Sequence, residues 1–238
     1  MSDSISSGRR PSRSLVHLWT VVGLIVILAY VLDLMISTST SHPVSLGNAH
    51  GDLLIMGSEW TVVIALAIVS FGFQRRHPGF FGLRMPGWRD ILTMLAFLVL
   101  SAILVVGLFM IPEIRHQLAA FSSHQQHLTA APFDVRLGLV LTAGICEEAI
   151  FRGYLIEQIR DWTGFTSVGA LVSLILFTLP HAWIYGFGPA LLIPAVLGGS
   201  LIGLYVLRRN LPVCMLMHAL IDGYFILLVP ILIHAHGG

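Results

Sequence analysis

The sequence predicts an all-α protein, a polytopic membrane helix bundle of about seven transmembrane helices, and three observations predict it. Of the 238 residues, 56% are hydrophobic and 11% charged, with a mean hydropathy of +0.86. A soluble domain carries about 25% charged residues, so water is not the main solvent of this chain. Its apolar residues run in continuous stretches of about 20, enough for a helix to cross a bilayer. A barrel strand would instead alternate, and in lipid only helices or closed barrels satisfy the backbone. Finally, the chain has no lysine, and ten of its 13 basic residues, all arginine, cluster in alternate connections.

Residues 1–14, Ser-rich with Arg9, Arg10 and Arg13, read as a disordered cytoplasmic tail. Leu15 to Ile36 is the first span, retained rather than cleaved as a signal because the spans after it need an anchor. Residues 37–52 form a polar loop without arginine, and Leu53 to Phe73 is the second span. A loop with Arg75, Arg76, Arg84 and Arg89 leads to the third span, Ile91 to Ile111, which Pro112 ends. Glu113 to Asp134 reads as a polar, His-containing stretch.

The remaining spans are Val135 to Arg160, Phe165 to about His181, Pro189 to Leu207, and Pro212 to Ile233. An eighth span or a re-entrant piece at Ala182 to Pro189 stays open. The basic connections (the tail, loop 74–90, Arg160 and Arg208-Arg209) alternate with poorly basic ones. Seven spans with the N-terminus cytoplasmic satisfy the positive-inside rule. The expected location is multi-pass in a membrane, a bacterial inner membrane, with lipids as partners. Nothing resembles a nucleic-acid module, a phosphate loop, a CxxC pair or an internal repeat. Cys146 and Cys214 lie within apolar segments and read as small buried residues.

Three groups of polar residues lie within the spans: Glu147, Glu148 and Arg152; His181; and His218 with Asp222. An ionisable side chain at bilayer centre costs ~2.5–3.5 kcal/mol even on lenient scales, so these must face a packed interior or a wet cavity. Glu148 and Arg152 are four apart and stack on one helix face. Glu147 is rotated away by about 100° and lacks that partner, which suits a general base. His218 and Asp222 are again four apart, so Asp222 can hold the ring.

One Glu and two His brought around a water admit two chemistries. In one, His181, His218 and a carboxylate bind zinc, which activates its bound water. In the other no metal takes part: Glu147 and His181 polarise the water, and His218 with Asp222 stands on the oxyanion side. Asp33 and Glu59, near span edges, read as snorkelling or helix-terminal charges. The histidines at 42, 50, 116, 124, 127, 234 and 236 read as solvated, and Tyr154, Trp183 and Tyr185 as lining or interface anchors.

The stretch Glu147-Glu148-Ala-Ile-Phe-Arg152-Gly153-Tyr-Leu155 resembles the EExxxR motif of the CAAX prenyl protease and bacteriocin-processing (CPBP, or Abi) intramembrane proteases. Phe177-Thr-Leu-Pro-His181 is similar to that family's FxxxH, and Asn210 to Asp222, through His218, to its third motif. The resemblance covers roughly residues 130–232, with the three motifs in order, and leaves the first three spans without a motif. It divides one continuous membrane domain into the tail 1–14, unassigned spans over 15–134, and catalytic helices over 135–233.

The resemblance implies an intramembrane endopeptidase acting on a peptide or lipidated protein near the cytoplasmic leaflet. Glu147 and His181 would activate water, His218 and Asp222 would serve the oxyanion, and Glu148 with Arg152 would accompany them. Asp222 departs from the family's commoner Asn. An ionised Asp is a poor oxyanion donor, so this carboxyl is either protonated or orients His218. A proton-coupled transporter and a non-catalytic partner, such as a bacteriocin-immunity protein, are the rival expectations. Span arithmetic also places His181 ~24 Å from the start of its helix, too far outward to meet Glu147 without a tilt or a bend at Pro180.

Overall fold

The computed structural model describes residues 11–39, 49–120 and 131–228, and among them all regular structure is helical. The helices are α1 (Arg13–Ser39), α2 (Ala49–Ala67, continued by a wider turn, Ile68–Phe73), α3 (Trp88–Phe109) and α4 (Pro112–Ala120). Then come α5 (Phe133–Glu147, running on without a break through Glu148–Ile156 and Glu157–Thr163) and α6 (Thr166–Thr178, tightening at Leu179–His181). After two short turns, Ala182–Tyr185 and Pro189–Leu191, follow α7 (Leu192–Arg208) and α8 (Leu211–Asp222, continued by Gly223–Leu228).

The molecule is a helical membrane bundle. Five segments are long and apolar enough to cross a membrane: Arg13–Met35, Gly51–Phe73, Trp88–Phe109, Pro189–Arg208 and Leu211–Leu228. Thr166–His181 is apolar but shorter, and α5 carries the charged cluster. These seven segments are the seven of the sequence. Lipid-facing side chains are the reason so little of α3 is enclosed; just 17% of its span is buried, since lipid tails replace protein around an apolar helix.

α5 is the central helix, packed against α2, α6 and α8. Every residue from Ile150 to Ile159 is buried. Two glycines permit the close approach on which the site depends. A Cβ on Gly144 would stand 3.1 Å from the Ala219 Cβ of α8, and one on Gly198 of α7 would stand 2.7 Å from the Phe177 ring. Bare backbones at such crossings let membrane helices meet without a clash.

The arginine-bearing connections gather at one end of the bundle. Arg84 grips Asp90 with two nitrogens at 2.8 and 2.9 Å, and Arg208 Nε reaches the same carboxylate at 2.8 Å. Arg209 and Arg160 share Glu157 at 2.8 and 2.6 Å, and Arg76 pairs with Asp161. Gln74 Nε2 donates to the Val16 carbonyl at 3.3 Å, which brings the start of α1 to this same end.

Several sequence expectations are corrected. Arg13 and Ser14 belong to α1 rather than to a tail, and Ala49 to Asp52 already belong to α2; residues 1–10 and 40–48 lie outside the described residues. The stretch read as polar from Glu113 opens with α4, because Ile114 and Leu118, four apart, give it an apolar face. Residues 121–130, with His124 and His127, and residues 229–238, the end of the last span, lie outside the described residues, as does His42. Ala182 to Pro189 forms a short turn and a connection instead of an eighth span. Tyr154 is not an interface anchor: it is 3% exposed, wedged where a Cβ on Gly23 of α1 would collide with its ring.

Candidate active site

The site is built at the middle of α5. From Glu148 to Ile156 this helix widens into i→i+5 turns, a distortion frequent at functional sites. Glu148 and Arg152 remain on one face across the widening. Their Oε1 and Nη1 are 2.8 Å apart, and both side chains are fully buried. The remaining donors of Arg152 are partly met by the Gly198 carbonyl at 3.1 Å, and the guanidinium lies 4.3 Å from the centre of the Phe177 ring. A charge this deep persists only when paired and hydrogen-bonded.

His218 joins the pair from α8. Its Nδ1 is 2.8 Å from Glu148 Oε1, and its Nε2 is 3.4 Å from Asp222 Oδ2. The sequence expected Asp222 to hold this ring. Asp222 does so loosely, and Glu148, 70 residues away, holds it more closely. The result is a linear relay, Arg152–Glu148–His218–Asp222, running from α5 to α8.

Glu147 and His181 are not links in that relay. They line one cavity of ≈ 30 Å³ together with Tyr30, Leu34, Phe151, Phe177 and Pro180. That is room for about one or two waters. Oε2 of Glu147 is buried with no hydrogen-bond partner, so a carboxylate oxygen is left for a guest. The Nδ1 of His181 hydrogen-bonds to the Phe177 carbonyl at 2.8 Å. An acceptor there makes Nδ1 the protonated nitrogen and leaves Nε2 as the ring's acceptor.

The shared cavity brings His181 to the level of Glu147. Helical side chains lean back toward the helix N-terminus, and the ring, tied to the residue four earlier, folds back about one turn into the bundle. Of the four residues singled out by sequence, Glu147 and His181 share the cavity. His218 and Asp222 stand at its side: both interact electrostatically with Glu147, but neither lines the cavity.

One ionisable residue was misread. Glu59 on α2 is no snorkelling charge; it is 6% exposed, and its Oε2 is buried without a partner. It lies close enough to Glu147, His218 and Asp222 to interact electrostatically with all three. Its neighbour Trp60 donates from Nε1 to Thr142 Oγ1 at 3.2 Å, which fixes this face of α2 against α5. A usable signal was present, since an acid inside an apolar span is a functional candidate by default. Asp33 is exposed, as expected of an edge charge. Tyr185 lies over His181, with ring centres 6.4 Å apart. Both cysteines are buried and unbridged.

The donor set does not match a zinc centre, which takes three or four converging N, S or O ligands. His181 offers only its open Nε2, and both ring nitrogens of His218 face carboxylates. Among the described residues no three His, Cys, Asp or Glu side chains converge on a point that could hold a metal ion.

Residues 130–224 match the family model described as Rce1-like, type II CAAX prenyl endopeptidase Rce1-like. This agrees with the CPBP resemblance of the three motifs, all of which fall inside the matched segment. Neither curated proteins nor solved structures give a match.

Proposed function

We propose that this chain, Rce1-like over residues 130–224, is an intramembrane endopeptidase that hydrolyses a peptide bond with water activated by Glu147 and His181. The observation that carries the reading is the cavity these two residues share. A carboxyl side chain and an imidazole line a space for about one or two waters, and a general base must lie within hydrogen-bond reach of the proton it takes.

In the reaction the water oxygen bonds to the scissile carbonyl carbon while Glu147 takes its proton. The carbonyl electrons move onto oxygen, giving a tetrahedral oxyanion. Collapse of that oxyanion breaks the C–N bond, and the proton held by Glu147 passes to the leaving nitrogen. His218 and Asp222 serve the oxyanion side. The 3.4 Å contact to Asp222 is the looser of the two that His218 makes, so Nε2–H is the donor free to turn to a developing oxyanion. Glu148 and Arg152 hold the His218 ring in place. No step requires a metal.

The substrate is a peptide or lipid-modified protein of the CAAX type, bearing a prenylated cysteine near its C-terminus and presented from the cytoplasmic leaflet. The arginine-rich end faces the cytoplasm by the positive-inside rule, and the N-terminus with it; a bacterial inner membrane is the location proposed. The test is hydrolysis of a fluorogenic farnesylated peptide ending in a Cys-aliphatic-aliphatic-X sequence by the full chain in detergent. Wild type cleaves it and Glu147→Gln does not. A wild type without hydrolysis, or a fully active Glu147→Gln, sinks the reading.

A further inference from the structure

Gln117 lies on α4, outside the segment matched to the family. Its side-chain amide makes a two-point bridge to the connection between α6 and α7. Nε2 donates to the Tyr185 carbonyl at 2.6 Å, and Oε1 accepts from the Ala190 N–H at 3.0 Å. One partner is an acceptor and the other a donor, so an amide, which carries both, is the group that satisfies the pair.

The clamp is seated on both sides. Ile114, one turn before Gln117, is fully buried against Val105, Ala190 and Ile193. Gly188 lies so near the amide that a Cβ there would stand 2.5 Å from Gln117 Oε1. The segment held begins with Tyr185, whose ring lies over the His181 imidazole at an interplanar angle of 26°. His181 is therefore oriented twice, by the Phe177 carbonyl at Nδ1 and by Tyr185 on its face.

We propose that Gln117 is a positioning residue for His181: by holding the Tyr185–Ala190 connection it keeps the Tyr185 ring against the imidazole. The role in hydrolysis rests on the protease reading above; the clamp itself does not. Loss of the clamp misplaces His181 rather than removing it, and a displacement of about 1 Å in a reacting group costs up to ~10²-fold in rate.

The test uses the full chain in detergent, the farnesylated fluorogenic peptide, and hydrogen exchange over residues 182–191. Gln117→Ala should lower kcat about tenfold with KM nearly unchanged, and should speed exchange in that segment. Gly188→Ala, pressing on the same amide from the other side, should also lower kcat. In the double variant Gly188→Ala should add nothing, because the atom it collides with is gone. If Gln117→Ala does not fold, Gln117→Glu decides: it keeps the acceptor for Ala190, loses the donor for Tyr185, and should show the same kcat loss. Wild-type kcat and exchange in these variants, or simple additivity in the double, overturns the proposal. A wild-type chain that leaves the peptide intact removes the protease reading, and the exchange measurement then still decides whether the clamp exists.

Discussion

His218 Nδ1 and Arg152 Nη1 both lie 2.8 Å from one oxygen, Oε1 of Glu148. Glu148 thus ties α5 to α8 through Oε1, while the Oε2 atoms of both Glu148 and its sequence neighbour Glu147 are buried without a hydrogen-bond partner. The two glutamates should separate in their responses. Glu148→Gln leaves the Arg152 charge buried without its counter-ion, and removal of one partner from a buried pair costs about 3–5 kcal/mol. Thermal unfolding in detergent should show a large loss for Glu148→Gln. Glu147→Gln should unfold within about 1 kcal/mol of wild type while losing hydrolysis; equal losses of stability in both would contradict this division of labour.

Glu59 gives the opposite expectation for a carboxylate. Its buried Oε2 has no partner, and it sits close to two further acids, Glu147 and Asp222. Burial of an unpaired charged group is costly, and the neutral amide of Glu59→Gln removes like-charge repulsion. The variant should melt higher than wild type, by the equivalent of about 1 kcal/mol or more. A lower melting point would show that the carboxylate has a stabilising partner.

Gly198 tests the approach of α7 to the site. A Cβ there meets Phe177 Cδ1 at 2.7 Å and Arg152 Nη2 at 3.5 Å. Gly198→Val should cost about 1–3 kcal/mol by overpacking and should lower hydrolysis, since Phe177 carries the carbonyl that orients His181. Gly199, one residue on, has open space where its Cβ would be, so Gly199→Ala should leave both measurements unchanged.

Membrane sidedness is open to labelling. Cys146 and Cys214 are fully buried, so the native chain supplies a quiet background for an impermeant maleimide. Met85, 88% exposed in the arginine-bearing loop, should label as Met85→Cys only when the cytoplasmic face is accessible. His116→Cys on α4 should label from the other face. Identical labelling of the two positions would end the seven-span topology.

The metal-free reading predicts that the purified chain holds zinc well below one equivalent by elemental analysis. Hydrolysis should survive a strong chelator. Loss of activity on chelation, recovered by zinc alone, would return His181 and His218 to the role of ligands.

Local spacing carried much of the site in advance. The i, i+4 stacking of Glu148 with Arg152 and of His218 with Asp222 follows from helix periodicity, and the geometry keeps both pairs. The contact of Glu148 with His218 does not follow, because it joins two helices 70 residues apart and no local pattern encodes which faces meet. Glu59 was misread because its depth was judged from the edge of an apolar run, whereas the packing of α2 on α5 turns that residue inward. The helix bearing Gln117 was within reach: Ile114 and Leu118 already repeat at helical spacing, but a polar average across a long connection concealed them.

Because Arg152 and its counter-ion stand four residues apart on one helix, α5 brings its own neutralising charge into the bilayer. The pair can be shielded as soon as the helix forms, before α8 has been synthesised and His218 delivered. Glu147 and Glu59 have no such companion on their own helices, so the order of assembly matters for them: the acids that await a guest become tolerable in lipid only once neighbouring helices have closed around them.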